Sequence, residues 1–252
     1  MCQSMDRSSQ TATSTKSVRT PRLYVADCQH TQGEVVVSER NHHYLARVLR
    51  AQVGQSLVVF NGQGLTAEAT ISAISKKQTQ ITITGGQHTP DVRLPITLGL
   101  AWIKADRFDW ALQKATELGV SAIQPMITAF SDSPPKGERL QKKEAHWAEI
   151  LINACEQSGN NWIPELRPLC SINQIETAIP THVAHPGSIE TAIPITGHQQ
   201  LLIGPEGGFS EAEIESLMTR QVKPISLGPT ILRAETAAIV GLTLLGSRLG
   251  HY

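Results

Sequence analysis

Between Arg22 and about Gly86, short β-branched runs alternate with polar positions: Val35–Val37, Ser56–Phe60, Thr66–Ile71 and Gln80–Thr84, with turn signals at Asn61-Gly62 and Gly85-Gly86. Regularly spaced short strands of this kind predict a small β-barrel. One segment, His42 to Arg50, interrupts them with a helical period. Past a turn-rich boundary at Thr89-Pro90-Asp91 the pattern changes. Leu94–Trp102 reads as a buried strand, and Asp106 is placed to cap a helix whose Phe108, Ala111, Leu112, Ala115 and Leu118 share one face before Gly119 ends it. Ser121–Thr128 predicts the next strand, Glu138–Ser158 a long helix with Trp147, Ile150, Leu151 and Ala154 inward, and Leu201–Ile203 a further strand. Ser210 and Glu213 have the spacing of a capping box, and a last apolar helix is expected from about Ala234 to Leu249. Strand–helix alternation builds a parallel sheet, so the fold class is α/β with a β-barrel in front. The expected organisation is a tail over 1–20, a barrel over 21–90 and an α/β domain over 91–252. The tail is rich in Ser, Thr and Gln, the composition of a disordered segment.

Composition narrows the function classes. The longest apolar run, Ala237–Leu242 resuming after Thr243, is about half of what a membrane span needs. Four cysteines, at 2, 28, 155 and 170, lack metal-ligand spacing, so neither a metal site nor a disulfide framework is expected and a cytoplasmic protein is. Lys plus Arg and Asp plus Glu both total 22, giving no net charge. The first 92 residues carry nine basic and six acidic groups against thirteen and sixteen in the remainder, so any basic steering sits in the N-terminal third.

Candidate chemistry concentrates in two glycine-rich turns, Ile203-Gly-Pro-Glu-Gly-Gly-Phe-Ser210 and Ser226-Leu-Gly-Pro-Thr-Ile-Leu-Arg-Ala-Glu-Thr236, each leading from a strand into a helix. Glycine admits close backbone approach and a helix start offers free N–H groups, so such turns suit a small polar ligand. Neither turn carries the Lys-Ser/Thr of a phosphate loop or the third glycine of a dinucleotide turn, which argues against ATP and NAD. A hexapeptide, Ile175–Pro180, recurs as Ile189–Pro194 and is too short for a repeat architecture.

These two turns, with Pro21-Arg-Leu-Tyr24, His43–Arg50, Lys104, Arg107-Phe-Asp109, Gln113–Val120 and Ala154-Cys-Glu-Gln-Ser-Gly159, resemble the RsmE family, the 16S rRNA uracil-N3 methyltransferases of the SPOUT superfamily. The resemblance extends over roughly residues 21–252. It implies a PUA-like RNA-binding barrel, a SPOUT domain with a trefoil knot, a homodimer whose interface includes the last helix, and 16S rRNA or the small ribosomal subunit as partner. It also implies S-adenosylmethionine held by three loops: His185-Pro186-Gly187; Ile203, Gly204, Pro205, Gly207 and Gly208; and Ser226, Leu227, Gly228, Ile231 and Leu232. Arg233, Glu235 and Glu206 are the catalytic candidates. Arg233 is placed to stabilise charge on the uracil oxygens, and either glutamate to take the N3 proton or orient a neighbour. Arg22, Arg47 and Arg50 are candidates for RNA contact. Against the usual family words, Thr230 and Asn160 replace arginines, Phe130-Ser-Asp-Ser-Pro-Pro135 replaces an arginine-bearing loop and Ala105 replaces a glycine. These losses keep a second reading open, a cofactor-binding, rRNA-associated homologue with weakened catalysis.

Overall fold

The computed structural model describes residues 20–28, 32–186 and 195–252. Nearly all of the expected disordered tail, Gly187 of the first loop, and the second copy of the hexapeptide lie outside them.

The N-terminal unit is a five-stranded sheet in the order β1-β3-β4-β5-β2, built from β1 (Arg22–Tyr24), β2 (Gly33–Val36), β3 (Ser56–Phe60), β4 (Leu65–Ile74) and β5 (Thr79–His88). Leu65, Ala67, Ala69 and Ile71 of β4 point inward and Glu68 outward, the period-2 alternation of a strand with one buried face. Two register shifts between β4 and β5 bend the pair. The helical insert starts three residues earlier than its apolar period suggested: α1 (Glu39–His43) is capped by the Ser38 hydroxyl, which accepts from the Asn41 N–H, and continues as a π-helical turn over Tyr44–Val48. Leu45 of that turn is buried among Leu23, Val37, Val59 and Ile81, closing the core.

The C-terminal unit is a seven-stranded sheet, parallel throughout, in the order β12-β10-β11-β6-β7-β8, with β9 also on β7. In chain order its elements are β6 (Leu94–Ala101), α2 (Ala105–Glu117), β7 (Val120–Ile127), α3 (Glu138–Ser158), β8 (Glu165–Leu166), β9 (Cys170–Ser171), β10 (Thr181–Ala184), β11 (Gln199–Ile203), α4 (Glu211–Thr219), β12 (Lys223–Ile225) and α5 (Ala234–Arg248). β6 and β11 lie mid-sheet, and nearly every residue of both is buried, the continuous apolar signature of strands covered on two faces. The α2 boundary corrects one expectation. Lys104 occupies the cap position and Asp106 lies inside the first turn, where a carboxylate favours the positive helix end. Trp147, Leu151 and Ala154 of α3 are buried as expected, and Trp147 packs on Trp102 and Phe108 at ring separations of 5.6 and 4.9 Å. Cys28 and Cys155 are buried, and burial pushes the Cys155 pKa up to about 12. No helix among the described residues is long and apolar enough to cross a membrane.

Charge and aromatic contacts join the two units. The Glu156 carboxylate on α3 accepts from Arg40 Nη1 and Nη2 and from the Tyr24 backbone N–H, each at 2.9 Å. Arg40 Nε also meets Glu149 at 2.7 Å. Arg22 lies over the Phe60 ring and donates to Asn160 O at 3.0 Å and to the Asn161 side chain. Within the C-terminal unit Arg93 lies over Trp162, whose indole reaches back to donate to Pro90 O at 3.1 Å.

Candidate active site

Because β10, β11 and β12 are adjacent and parallel, Ala184, Ile203 and Ile225 finish at one edge of the sheet and deliver three loops to the same place. Ligands of open α/β sheets bind beyond such carboxyl ends. A cavity of about 320 Å³ lies there, lined by His185 and Pro186, by Ile203–Phe209, and by Leu227, Gly228, Thr230, Ile231 and Leu232, with Ala184, Ala234 and Ala237 completing the wall. Of the residues expected to hold a cofactor, Ser226 alone among those described does not line it. The Ser226 hydroxyl instead accepts from the Gly228 N–H at 3.4 Å, bracing the loop.

Local sequence explains the shape. Gly208 and Gly228 adopt φ of +71° and +123°, conformations that L side chains rarely adopt. A Cβ on Gly207 would meet Phe130 at 3.1 Å, so the loop after β7 closes against the glycine turn. The capping box of α4 forms as expected, with Glu213 accepting from the Ser210 N–H at 2.8 Å. The other Glu213 oxygen takes the Ala129 N–H at 2.7 Å and ties the same two loops together.

A second cavity, of about 530 Å³, lies on the other side of the α5 start and is lined by Asp106, Arg107, Trp110, Arg233, Glu235 and Thr236. Residues 232, 234 and 237 face the first cavity and 233, 235 and 236 the second, so the first turn of α5 is the partition between them. Arg107 links the two: Nη1 contacts Glu206 of the first cavity at 2.7 Å, and Nε lies 3.8 Å from Glu235. The two candidate glutamates differ. Glu206 is 41% exposed and pairs closely with Arg107, whereas Glu235 is 13% exposed, pairs with Arg107 only at 3.8 Å, and has a buried Oε2 with no hydrogen-bond partner among the described residues.

Arg107 and Trp110 were absent from the sequence-derived site. Arg107 stood in a family word without a role; the available signal was an aromatic three residues after it, off the apolar face of α2. The proposed RNA-contacting arginines separate. Arg22 is engaged at the joint between the units, held by Phe60, Asn160 and Asn161. Arg47 and Arg50 are exposed beside the exposed Tyr44, Val48 and Leu49.

Two sequence families match this architecture: the RNA methyltransferase PUA domain over residues 37–84 and the RNA methyltransferase domain over residues 90–246. The ribosomal RNA small subunit methyltransferase E of Buchnera aphidicola from Acyrthosiphon pisum is 32% identical over 255 residues, covering 96% of this chain and 99% of its own. The chain belongs to the RsmE family. The RsmE protein of Synechocystis is 30% identical, with 95% of this chain and 82% of that protein covered. Among solved structures, a Legionella pneumophila protein in complex with S-adenosylmethionine superposes with a TM-score of 0.85 at 34% identity, covering 91% of this chain and 98% of that one. The Neisseria gonorrhoeae RsmE protein bound to S-adenosylmethionine gives 0.83 at 28% identity over the same shares. The expected α/β class, a PUA domain followed by a parallel-sheet SPOUT-type domain, is therefore the fold of this RsmE-family chain.

Proposed function

We propose that this protein transfers a methyl group from S-adenosylmethionine to N3 of a uridine in the 16S rRNA of the small ribosomal subunit, acting as a cytoplasmic homodimer. The observation that carries the reading is the pair of cavities back to back across the start of α5, one glycine-walled and one bearing charged side chains. Two solved structures that resemble this chain and contain S-adenosylmethionine support the cofactor assignment.

The first cavity fits the cofactor. Its volume lies at the lower end of the roughly 300–1,000 Å³ usual for small-molecule pockets. Ile203, Leu227, Ile231 and Leu232 offer apolar surface to an adenine ring, while glycine and proline leave backbone N–H and C=O groups accessible. When bound there, S-adenosylmethionine supplies a methyl group activated by a positively charged sulfur.

The chain's own residues then prepare the base. Uracil N3 carries a proton and becomes an effective nucleophile only as that proton leaves. Glu235 is the acceptor: its Oε2 has no hydrogen-bond partner among the described residues and its Oε1 lies 3.8 Å from Arg107, whereas Glu206 is bonded to Arg107 at 2.7 Å. Arg233, exposed in the same cavity, stabilises the negative charge that deprotonation leaves on O2 and O4. Arg107 is a positioning residue that ties α2 to Glu206 and to Glu235 at the start of α5. The homodimer reading is supported by α5, whose Ile239, Val240 and Leu244 are only partly buried within one chain. Arg47 and Arg50 supply backbone contacts to the RNA from the N-terminal unit.

The test is incubation of the purified protein with S-adenosylmethionine and small subunits lacking the modification, followed by nucleoside mass spectrometry. One N3-methyluridine in 16S rRNA is expected. Cofactor binding without methylated product would instead establish the binding-only reading, for which the observation is Thr230, a cavity-lining residue where the family carries arginine.

A further inference from the structure

Holding the target base flat while its N3 is deprotonated needs a group beyond Arg233 and Glu235. An enzyme acting on the edge of a base must take it out of the stack, which forfeits stacking energy that the site has to return. Arg233 and Glu235 can address only the base edge. The remaining large side chain of the second cavity is Trp110.

Trp110 is unlike the other three tryptophans. Trp102 and Trp147 pack on each other and on Phe108 in the core, and Trp162 stacks under Arg93 with its indole N–H bonded to Pro90. Among the described residues Trp110 has no ring partner and no hydrogen bond, and it is 43% exposed. Its position follows from helical spacing. Phe108, Ala111, Leu112 and Ala115 of α2 point into the core, while Asp106, Arg107 and Trp110, at i, i+1 and i+4, line the cavity. An indole left open on a polar helix face, in the same cavity as the exposed Arg233 and the Glu235 carboxylate, completes the set of groups a flipped pyrimidine needs: a face to stack on and two edges to read.

We propose that Trp110 is the stacking platform for the target uracil, with the 530 Å³ cavity as its base pocket. The proposal rests on the methyltransferase reading and deepens it. Arg107, three residues before Trp110 on α2 and bonded to Glu206, then places the platform against the wall of the cofactor cavity.

The test compares wild type, Trp110→Phe and Trp110→Ala, each saturated with S-adenosylhomocysteine for binding or S-adenosylmethionine for turnover. A uridine-containing single-stranded RNA is expected to quench the tryptophan emission of wild type, and Trp110→Phe to lose that quenching. On unmodified small subunits, Trp110→Ala is expected to lower kcat/KM by about 5- to 150-fold, the span of one base–aromatic stack, with Trp110→Phe close to wild type and cofactor Kd unchanged in both. Unaltered kcat/KM in Trp110→Ala, quenching that persists in Trp110→Phe, or Trp110 emission that follows protein concentration rather than RNA overturns the proposal; the last result would place the side chain between two copies of the chain. The two readings fail separately. A wild-type protein that makes no methyluridine but loses quenching in Trp110→Phe refutes the activity and keeps the platform, while full turnover by Trp110→Ala does the reverse.

Discussion

Glu156 provides a quantitative test of how the two units are held. Replacing it by alanine removes a bidentate contact to Arg40 and the acceptor for the Tyr24 N–H, all at 2.9 Å. Arg40 is not left alone, because its Nε keeps Glu149 at 2.7 Å and Nη2 keeps Asn153 at 2.5 Å. The loss is therefore smaller than the full cost of stranding a buried charge. Hydrogen bonds to charged groups contribute about 1.5–3 kcal/mol and an unsatisfied backbone N–H costs about 1 or more. With side-chain exposures of 32% for Arg40 and 16% for Glu156, solvent screening puts the charged contribution at the low end of that span. The sum is about 2–3 kcal/mol, which for a chain of this size lowers Tm by about 5–10 °C. The assay is thermal melting of Glu156→Ala, Arg40→Ala and the double variant. A double variant that loses clearly less than the sum of the singles is expected, since either substitution already breaks the contact. Strict additivity, or a Glu156→Ala melt within about 1 °C of wild type, refutes the assignment of this pair as the joint.

Glu235→Gln keeps the shape of the second cavity and removes the proton acceptor, so kcat on small subunits is expected to fall by about 10²- to 10⁴-fold while calorimetric cofactor affinity stays the same; a wild-type kcat sinks the general-base role. Gly228→Ala forces a side chain onto φ of +123° and strains the loop by about 1–3 kcal/mol, so cofactor Kd is expected to rise about tenfold by titration; an unchanged Kd means the loop conformation is not what binds. His182 is buried against Gln199, and desolvation depresses its pKa below the ordinary 6.5, with Lys223 and Arg248 adding to the effect. On acidification the unfolded chain takes up this proton before the folded one, so the stability that neutral His182 contributes is present above about pH 6.5 and is lost as pH falls towards the depressed folded value. Tm measured from pH 7.5 down to 5 should decline, less steeply in His182→Gln, and equal slopes would refute that origin.

How much of this was legible in the sequence depended on how local the determinant is. The bounds of α3, Glu138–Ser158, follow from an apolar helical period between Gly137 and Gly159, and the α4 cap from Ser210 and Glu213 three positions apart. β10 and β12 left no usable period. β10 buries Thr181 and His182, whose polar atoms are satisfied by Ile179 O and by Gln199, so it does not read as an apolar run. β12 is three residues at the sheet edge with Pro224 in the middle, a place where proline is tolerated because the edge needs no donor on its open side. The glycine loops were legible because backbone conformation is written in glycine itself. Arg107 was not, because its partners Glu206 and Glu235 lie 99 and 128 positions away, and no spacing rule reaches that far. The partners of Arg22, at 160 and 161, lay out of reach of sequence spacing for the same reason.

The departures from the family words keep open a reading of weakened catalysis, and the structure separates them by place. Asn160 lies at the joint, where its carbonyl receives Arg22 and its side-chain oxygen receives the Trp162 N–H at 3.1 Å. An arginine there would set a second guanidinium beside Arg22. Phe130 is used for packing against Gly207, and Ser131 Oγ accepts from the Thr128 N–H at 3.0 Å, so that loop has a structural task of its own. Ala105 is the first residue of α2, where alanine costs nothing. Only Thr230 both replaces an arginine and lines the cofactor cavity. The positive charge that remains at the α5 partition comes from Arg107 and Arg233. Restoring charge should therefore matter at one position and not at the other. Thr230→Arg is expected to tighten binding to the small subunit and to steepen the dependence of log affinity on log salt by about 0.7–0.9, one additional phosphate contact, while Asn160→Arg leaves that slope unchanged. The measurement is a salt titration of subunit binding for the two variants and wild type. A steeper slope for Asn160→Arg with none for Thr230→Arg would mean that the RNA runs over the joint between the units rather than across the cofactor rim.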